Sequence, residues 1–179
     1  MLKVIILSLV ATSIGCLFHF AYELSHRNKI VALFSAVNES TWEHIKIGTS
    51  ALILVFAAML FFYPLASVIS AAAFALLIFI VLIPALFYPI LAVMGRHSIP
   101  VSIVEFAFSI FISVLFFDTF VQQEYSQPTV FISSVVLAVI MLSWGLFTFF
   151  PPKNFLFKDP RNNKYGLKAF EKGHKHHHN

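Results

Sequence analysis

The chain has 179 residues, 59% of them hydrophobic and 11% charged, with a net charge of +4. A soluble domain carries roughly 25% charged and about 45–50% apolar residues, so a soluble globular enzyme is excluded as the whole of this chain. The single cysteine, Cys16, excludes an internal disulfide and a cysteine-based metal cluster, and the basic residues flank apolar stretches rather than forming a nucleic-acid-binding face.

Residues 2–22 are apolar apart from Lys3, His19 and a few Ser and Thr. At about 1.5 Å per residue this stretch reaches about 30 Å, the thickness of bilayer hydrocarbon. Lys3 raises the alternative of a cleaved leader. No small-residue cleavage site followed by a polar region is present, and Ser13-Ile14-Gly15-Cys16 runs on into Leu17-Phe18-His19-Phe20 rather than a polar tether. The first span is therefore expected to be retained.

A polar loop, 23–36, carries His26, Arg27, Asn28 and Lys29 before the most polar ten residues of the apolar region, 37–46. Here Asn38 is expected as the N-cap of a second span, with Glu39 and Glu43 at the positive end of the helix dipole and Val37 stapled against Trp42. The five expected spans are 2–22, 38–63, 65–94, 101–121 and 129–150. Pro84 and Pro89 are expected to kink the third or break it in two. Residues 1–150 thus form an all-α, five-helix transmembrane domain, and 151–179 a basic tail with a His-rich end.

With five spans, Arg27, Lys29, Lys46, Arg96, Lys153, Lys158, Arg161, Lys164, Lys168, Lys172 and Lys175 share one side of the membrane, and Lys3 alone lies on the other. The positive-inside rule then puts the N-terminus outside and the tail in the cytoplasm. The expected location is the bacterial cytoplasmic membrane, with membrane lipids, a membrane-protein partner or a second copy as partners and no nucleic acid.

On this topology His19, Tyr22, Asn38, Glu39, Trp42, Glu43, His44, His97 and Glu105 gather near one membrane face, and they are the candidate ligand-binding residues. Ionisable groups within spans are costly and normally face the bundle interior or a wet cavity. Glu105 shares a helical stripe with Ser98, Ser102, Ser109 and Ser113, which turns it toward protein. His19, His44, His97 and Glu105, with Glu39 beside them, have the imidazole and carboxylate donors that suit zinc or a similar divalent ion. No His-x-x-x-His or His-Glu-x-x-His lies in the spans, so the set must be assembled from several helices.

A plainer reading stands beside this one. Glu39, Glu43 and Lys46 fall on one helical face and form a solvated ion-pair edge. Asn38 is then only a cap, Trp42 an interfacial anchor, and His19 pairs with Glu23 one turn away. Asp118, near the outer end of the fourth span, is expected to snorkel to the interface. The terminal tract His174-Lys175-His176-His177-His178 is expected to be a metal chelator, a truncated purification tail or a disordered basic-polar end.

Asn38-Glu39-Ser40-x-Trp42-Glu43-His44-x-Lys46 resembles the central motif of a family of small bacterial multi-pass membrane proteins, a domain of unknown function. Gly15 with His19-Phe20-Ala21-Tyr22, and the tail residues Pro151-Pro152-Lys153, Phe157-Lys158-Asp159-Pro160-Arg161 and Tyr165-Gly166, fit the same family. The resemblance implies shared architecture and lends no activity. A looser comparison, with seven-span metal-dependent hydrolases that include alkaline ceramidases, lacks their late His-x-x-x-His and two of their spans. Three functions follow as expectations: binding of a small ligand or lipid headgroup by a transport or assembly component, metal-dependent hydrolysis of a lipid or amide, and a structural scaffold that oligomerises through the serine stripe.

Overall fold

The computed structural model describes residues 1–96 and 98–170. Five long helices account for most of them: α1 (Leu2–Leu24), α2 (Thr41–Ala58, prolonged by a 3-10 turn over Met59–Phe61), α3 (Leu65–Met94), α4 (Ile99–Phe120) and α5 (Gln127–Phe149). A short α6 (Leu167–Phe170) and single 3-10 turns at Val31–Leu33 and Phe155–Phe157 complete the set, and the described residues contain no named strand. All five long helices have the length and apolar composition to cross a membrane.

The helix limits follow from local chemistry. Pro64 opens α3, and Pro100 and Pro128 occupy the first turns of α4 and α5, where the missing N–H costs nothing. Gly95 closes α3 at φ +66°, a left-handed conformation that most side chains resist. Of the kink or break expected at Pro84 and Pro89, the break is absent: α3 runs on as one helix through both prolines. In apolar surroundings, a broken helix would strand more backbone groups than the two donors that proline removes.

Successive helices run antiparallel. Thr41 and Tyr88 share a 3.0 Å hydrogen bond at the end where α2 begins and α3 finishes. At the opposite end Lys3 pairs with Asp118 and donates to the Tyr63 hydroxyl at 2.8 Å. Asp118 is thus ion-paired at the partly exposed end of the bundle, where α1 brings a cation to it.

The middle of the bundle is packed by rings against small residues. Phe56 stacks on Phe117 at 4.0 Å, and Phe79 meets Phe106 edge-on at 5.9 Å. Gly48 leaves room for the Phe79 ring, and Gly15 for Phe106, whose nearest atom would lie 2.8 Å from an added Cβ. Val4, Ser8, Ala11 and Gly15 bury one face of α1, so that helix belongs to the core. Ser109 and Ser113 of the serine stripe are wholly buried within this single chain, and Glu105 is 7% exposed. Those two serines are therefore covered by neighbouring helices of the same chain, while Ser98 and Ser102 are half-buried. Leu9, Leu17, Phe131 and Leu142 remain exposed on α1 and α5, as surfaces that meet lipid would be.

Candidate metal and ligand site

The site is built on residues 36–46, where the chain enters α2. The helix begins at Thr41 with Ser40 as N-cap, not Asn38. Asn38 sits two residues too early to cap, and its Oδ1 instead accepts the Ser40 N–H at 2.8 Å in a local turn. Its Nδ2 donates to the Gly166 carbonyl at 3.2 Å, which ties the stretch to the tail. Glu39 consequently lies outside the helix, on an ordered turn.

Glu43 reaches back from the first turn of α2, and its Oε2 accepts the Val37 N–H at 2.9 Å. The same oxygen lies 2.7 Å from Lys46 Nζ. Lys46 also donates to the Ala32 carbonyl at 2.9 Å and to Thr148 Oγ1 at 2.8 Å. Glu43 and Lys46 are 1% and 0% exposed, so they form no solvated edge and Lys46 contributes nothing to a basic surface. Trp42 is likewise buried, packed against Phe147 and Phe157 at 5.1 Å each, and so it is not an interfacial anchor. Tyr22 packs with Ala32, Val37 and Leu167 beneath the same stretch.

Above this buried layer three side chains converge. His19 Nε2 from the end of α1 lies 3.4 Å from Glu39 Oε2, and His44 Nε2 from α2 lies 4.0 Å from the same oxygen. The imidazole rings are 5.6 Å apart between centroids. One donor atom from each of His19, Glu39 and His44 falls within 4.8 Å of the other two, and all three residues are half-buried. His19 therefore finds Glu39 across the bundle end, not only a neighbour on its own helix.

The second nitrogen of His44 decides the chemistry of the first. His44 Nδ1 lies 3.0 Å from the Ser40 carbonyl oxygen, which can only accept, so Nδ1 carries the proton in that bond. In a neutral imidazole Nε2 then offers a lone pair toward the Glu39 carboxylate. A proton or a metal cation placed between these two lone-pair donors, 4.0 Å apart, would be shared by both. A ring nitrogen that donates to a backbone carbonyl while its partner faces a carboxylate is also the usual outer support of a metal-binding histidine.

The tail completes the cluster. Asp159 is fully buried; its Oδ2 accepts the Glu39 N–H at 3.2 Å and its Oδ1 accepts the Arg161 N–H at 2.8 Å. Arg161 Nη1 lies 3.5 Å from Glu39 Oε1, the oxygen turned away from the histidines. Burial pushes the Glu39 carboxyl up, but the hydrogen bond from His19, the positive charge that the His19 and His44 rings carry when protonated, and the charge of Arg161 outweigh it and hold the group at about 2. Glu39 is thus a carboxylate at any physiological pH.

Of the residues expected at the site, His19, Glu39 and His44 come together, with Asn38 and Glu43 shaping the turn beneath them. Glu105 does not join the cluster; it lines a cleft between the end of α3 and the start of α4 with Arg96, Ser98 and Ser102. His97 and the terminal His tract lie outside the described residues. Asp159, Arg161 and Thr148 were not foreseen as participants. The first two stand within the tail motif that carried the family resemblance, whereas Thr148 is one polar residue in an apolar helix and gives no sequence signal.

Fold and site together define a membrane protein of five apolar helices with a His/Glu cluster at one end of the bundle, able in principle to chelate a divalent metal. The chain belongs to a family of unknown function, DUF6512, whose model matches residues 2–167. No curated protein and no solved structure matches it.

Proposed function

We propose that this protein binds a divalent transition metal of the zinc class at His19, Glu39 and His44, and uses it to hold a small ligand or lipid headgroup at the cytoplasmic face of a bacterial membrane. It would serve there as a transport or assembly component. The observation that carries this reading is the convergence of two imidazole nitrogens on one carboxylate oxygen, with His44 held in the tautomer that points a lone pair at it. Two nitrogens and one oxygen make a donor set familiar for zinc, and they leave a coordination position for a ligand. The orientation is supported by Arg27, Lys29, Arg96 and the basic tail, which share the site's end of the bundle.

Metal-dependent hydrolysis is the second reading, favoured by that same open position. Hydrolysis also needs a group free to accept a proton. Among the described residues, Glu43 is committed to Lys46 and Asp159 to Arg161 and the Glu39 N–H. Binding is therefore the better supported of the two.

Elemental analysis of protein purified without chelators, with His174, His176, His177 and His178 changed to Ala, tests the reading. About one zinc-class ion per chain, lost in His44→Ala, is the expected result. Metal well below one equivalent in the parent protein rejects it.

A further inference from the structure

Arg161 has a position that metal binding alone does not require. Its guanidinium is anchored from behind by Asp159, through Nε to Oδ1 at 3.4 Å and Nη2 to Oδ2 at 3.3 Å. That carboxylate is wholly buried, while the Arg161 side chain is 59% exposed. A buried anion thus holds an exposed cation in a fixed orientation at the edge of the His/Glu cluster. Arginine offers five donors in a rigid fork, so the atoms that Asp159 and Glu39 leave free remain available to a further acceptor.

The loop that presents Arg161 is built with unusual care for a surface segment. The Asp159 N–H donates to the Lys164 carbonyl at 2.9 Å, and the Asn163 N–H returns to the Asp159 carbonyl at 2.9 Å. Asn162 closes the loop twice, accepting the Lys164 N–H at 3.0 Å and donating to the Ala169 carbonyl at 2.6 Å. Asn163 takes a left-handed φ of +59°, a turn conformation that asparagine accepts more readily than other residues with a side chain. Order of this kind fixes where the guanidinium stands relative to Glu39.

We infer that Arg161 is the anion-recognising arm of the site, and that the ligand held beside the metal carries a phosphate group. The inference rests on the metal-binding reading above and names the ligand class for it. A metal ion and a guanidinium flanking the two oxygens of one carboxylate present two positive centres side by side. A phosphate, with several oxygens around one phosphorus, spans such a pair by giving one oxygen to the metal and others to the fork. Phosphate is favoured over carboxylate by place: the cluster sits at a bundle end, the depth at which lipid phosphates lie. Lys153 and Lys158 in the same tail segment add positive potential there.

The test uses the full chain carrying the four terminal His→Ala changes, in detergent and in nanodiscs, with zinc affinity read by competition against a chelating dye. Two ligands distinguish the source of the phosphate. Inorganic phosphate is added in detergent, and nanodiscs of phosphatidic acid are compared with nanodiscs of phosphatidylcholine.

At least a tenfold rise in zinc affinity is expected from one of these, because ligand and metal bind as a unit. A rise with inorganic phosphate indicates a free phosphate compound, and a rise with phosphatidic acid alone indicates a lipid headgroup. Arg161→Ala should bind zinc and lose the enhancement. Arg161→Gln, which keeps donors for Asp159 without the charge, decides the matter if the alanine variant does not fold. Zinc binding with no enhancement by either ligand, or enhancement that persists in the folded Arg161 variant, overturns this inference and leaves the metal site standing. No zinc in the parent protein overturns the metal reading, and this one with it.

Discussion

Glu43 and Lys46, one turn apart on α2, form an ion pair of 2.7 Å that solvent does not reach. An exposed pair at this spacing contributes about 0.2–0.5 kcal/mol. Loss of one partner from a buried pair costs roughly 3–5 kcal/mol, because the other charge is left without compensation. Lys46→Met and Glu43→Gln should therefore each lower stability by that order in thermal unfolding of the detergent-solubilised protein. The double variant should lose less than the sum, since neither charge is then stranded. A Lys46→Met protein as stable as its parent would show the pair to be dispensable.

The pair also fixes the site, because the Glu43 oxygen that meets Lys46 accepts the Val37 N–H just before Asn38 and Glu39. Thr148→Val removes only one of the three groups that receive Lys46. Its expected cost is about 1–2 kcal/mol, near that of a hydrogen bond to a charged group. A larger loss would mean that Thr148 supports Thr49 or Trp144 as well, which a Thr49→Val and Thr148→Val cycle would reveal as coupling.

Among the described glycines, Gly48 leaves the least room for a side chain. A Cβ there would overlap the Phe79 ring, and Phe79 is fully buried with Phe106 against it. Gly48→Ala should destabilise by about 1–3 kcal/mol, the usual cost of overpacking a filled core. Trimming the ring in Gly48→Ala with Phe79→Leu should recover part of the loss. If the single alanine variant melts at the parent temperature, the ring has somewhere to go and the packing is looser than these contacts imply.

The spans were legible because their boundaries are chemical: long apolar runs interrupted at Pro64, at 95–100 and near Pro128. The start of α2 was misread because Asn38 suits a cap and a local turn equally well, and only the Gly166 carbonyl settles between them. The burial of Lys46 was illegible for a related reason. Its spacing from Glu43 is that of any surface pair, and its other partners, Ala32 and Thr148, come from distant segments. His19, Glu39 and His44 could be gathered from sequence because antiparallel spans put them at one end. Depth along a helix does not fix rotation about it, so Glu105 was drawn into the set although it turns toward α3. Nothing in a basic tail announces that residues 158–166 fold back onto the start of α2.

The Glu39 carboxyl, held at about 2, gives a pH signature. A group whose folded value is depressed stabilises the protein above its unfolded value, and that contribution fades as pH falls through the folded value. The stability difference between the parent and Glu39→Gln should thus be full above about pH 4.5 and shrink toward pH 2. Unfolding by denaturant across that range, without added metal, measures it. A difference that is flat with pH would mean that Glu39 owes its place to shape rather than charge.

Asp159 links the tail to the cluster through its bond from the Glu39 N–H and its hold on Arg161. Groups that orient a metal ligand commonly matter 10–100-fold in affinity when changed. Asp159→Asn keeps the size of the side chain but removes its charge and replaces one acceptor oxygen with a donor, which then faces either the Glu39 N–H or the Arg161 N–H. It should weaken zinc binding by about that factor. Asp118→Asn breaks an ion pair at the far end of the same bundle and should lower the melting temperature while leaving zinc affinity unchanged. The contrast separates positioning of the site from general stability. Equal zinc affinity in the Asp159→Asn and parent proteins would mean that Glu39 is held by His19 and His44 alone, and that the tail only covers the site.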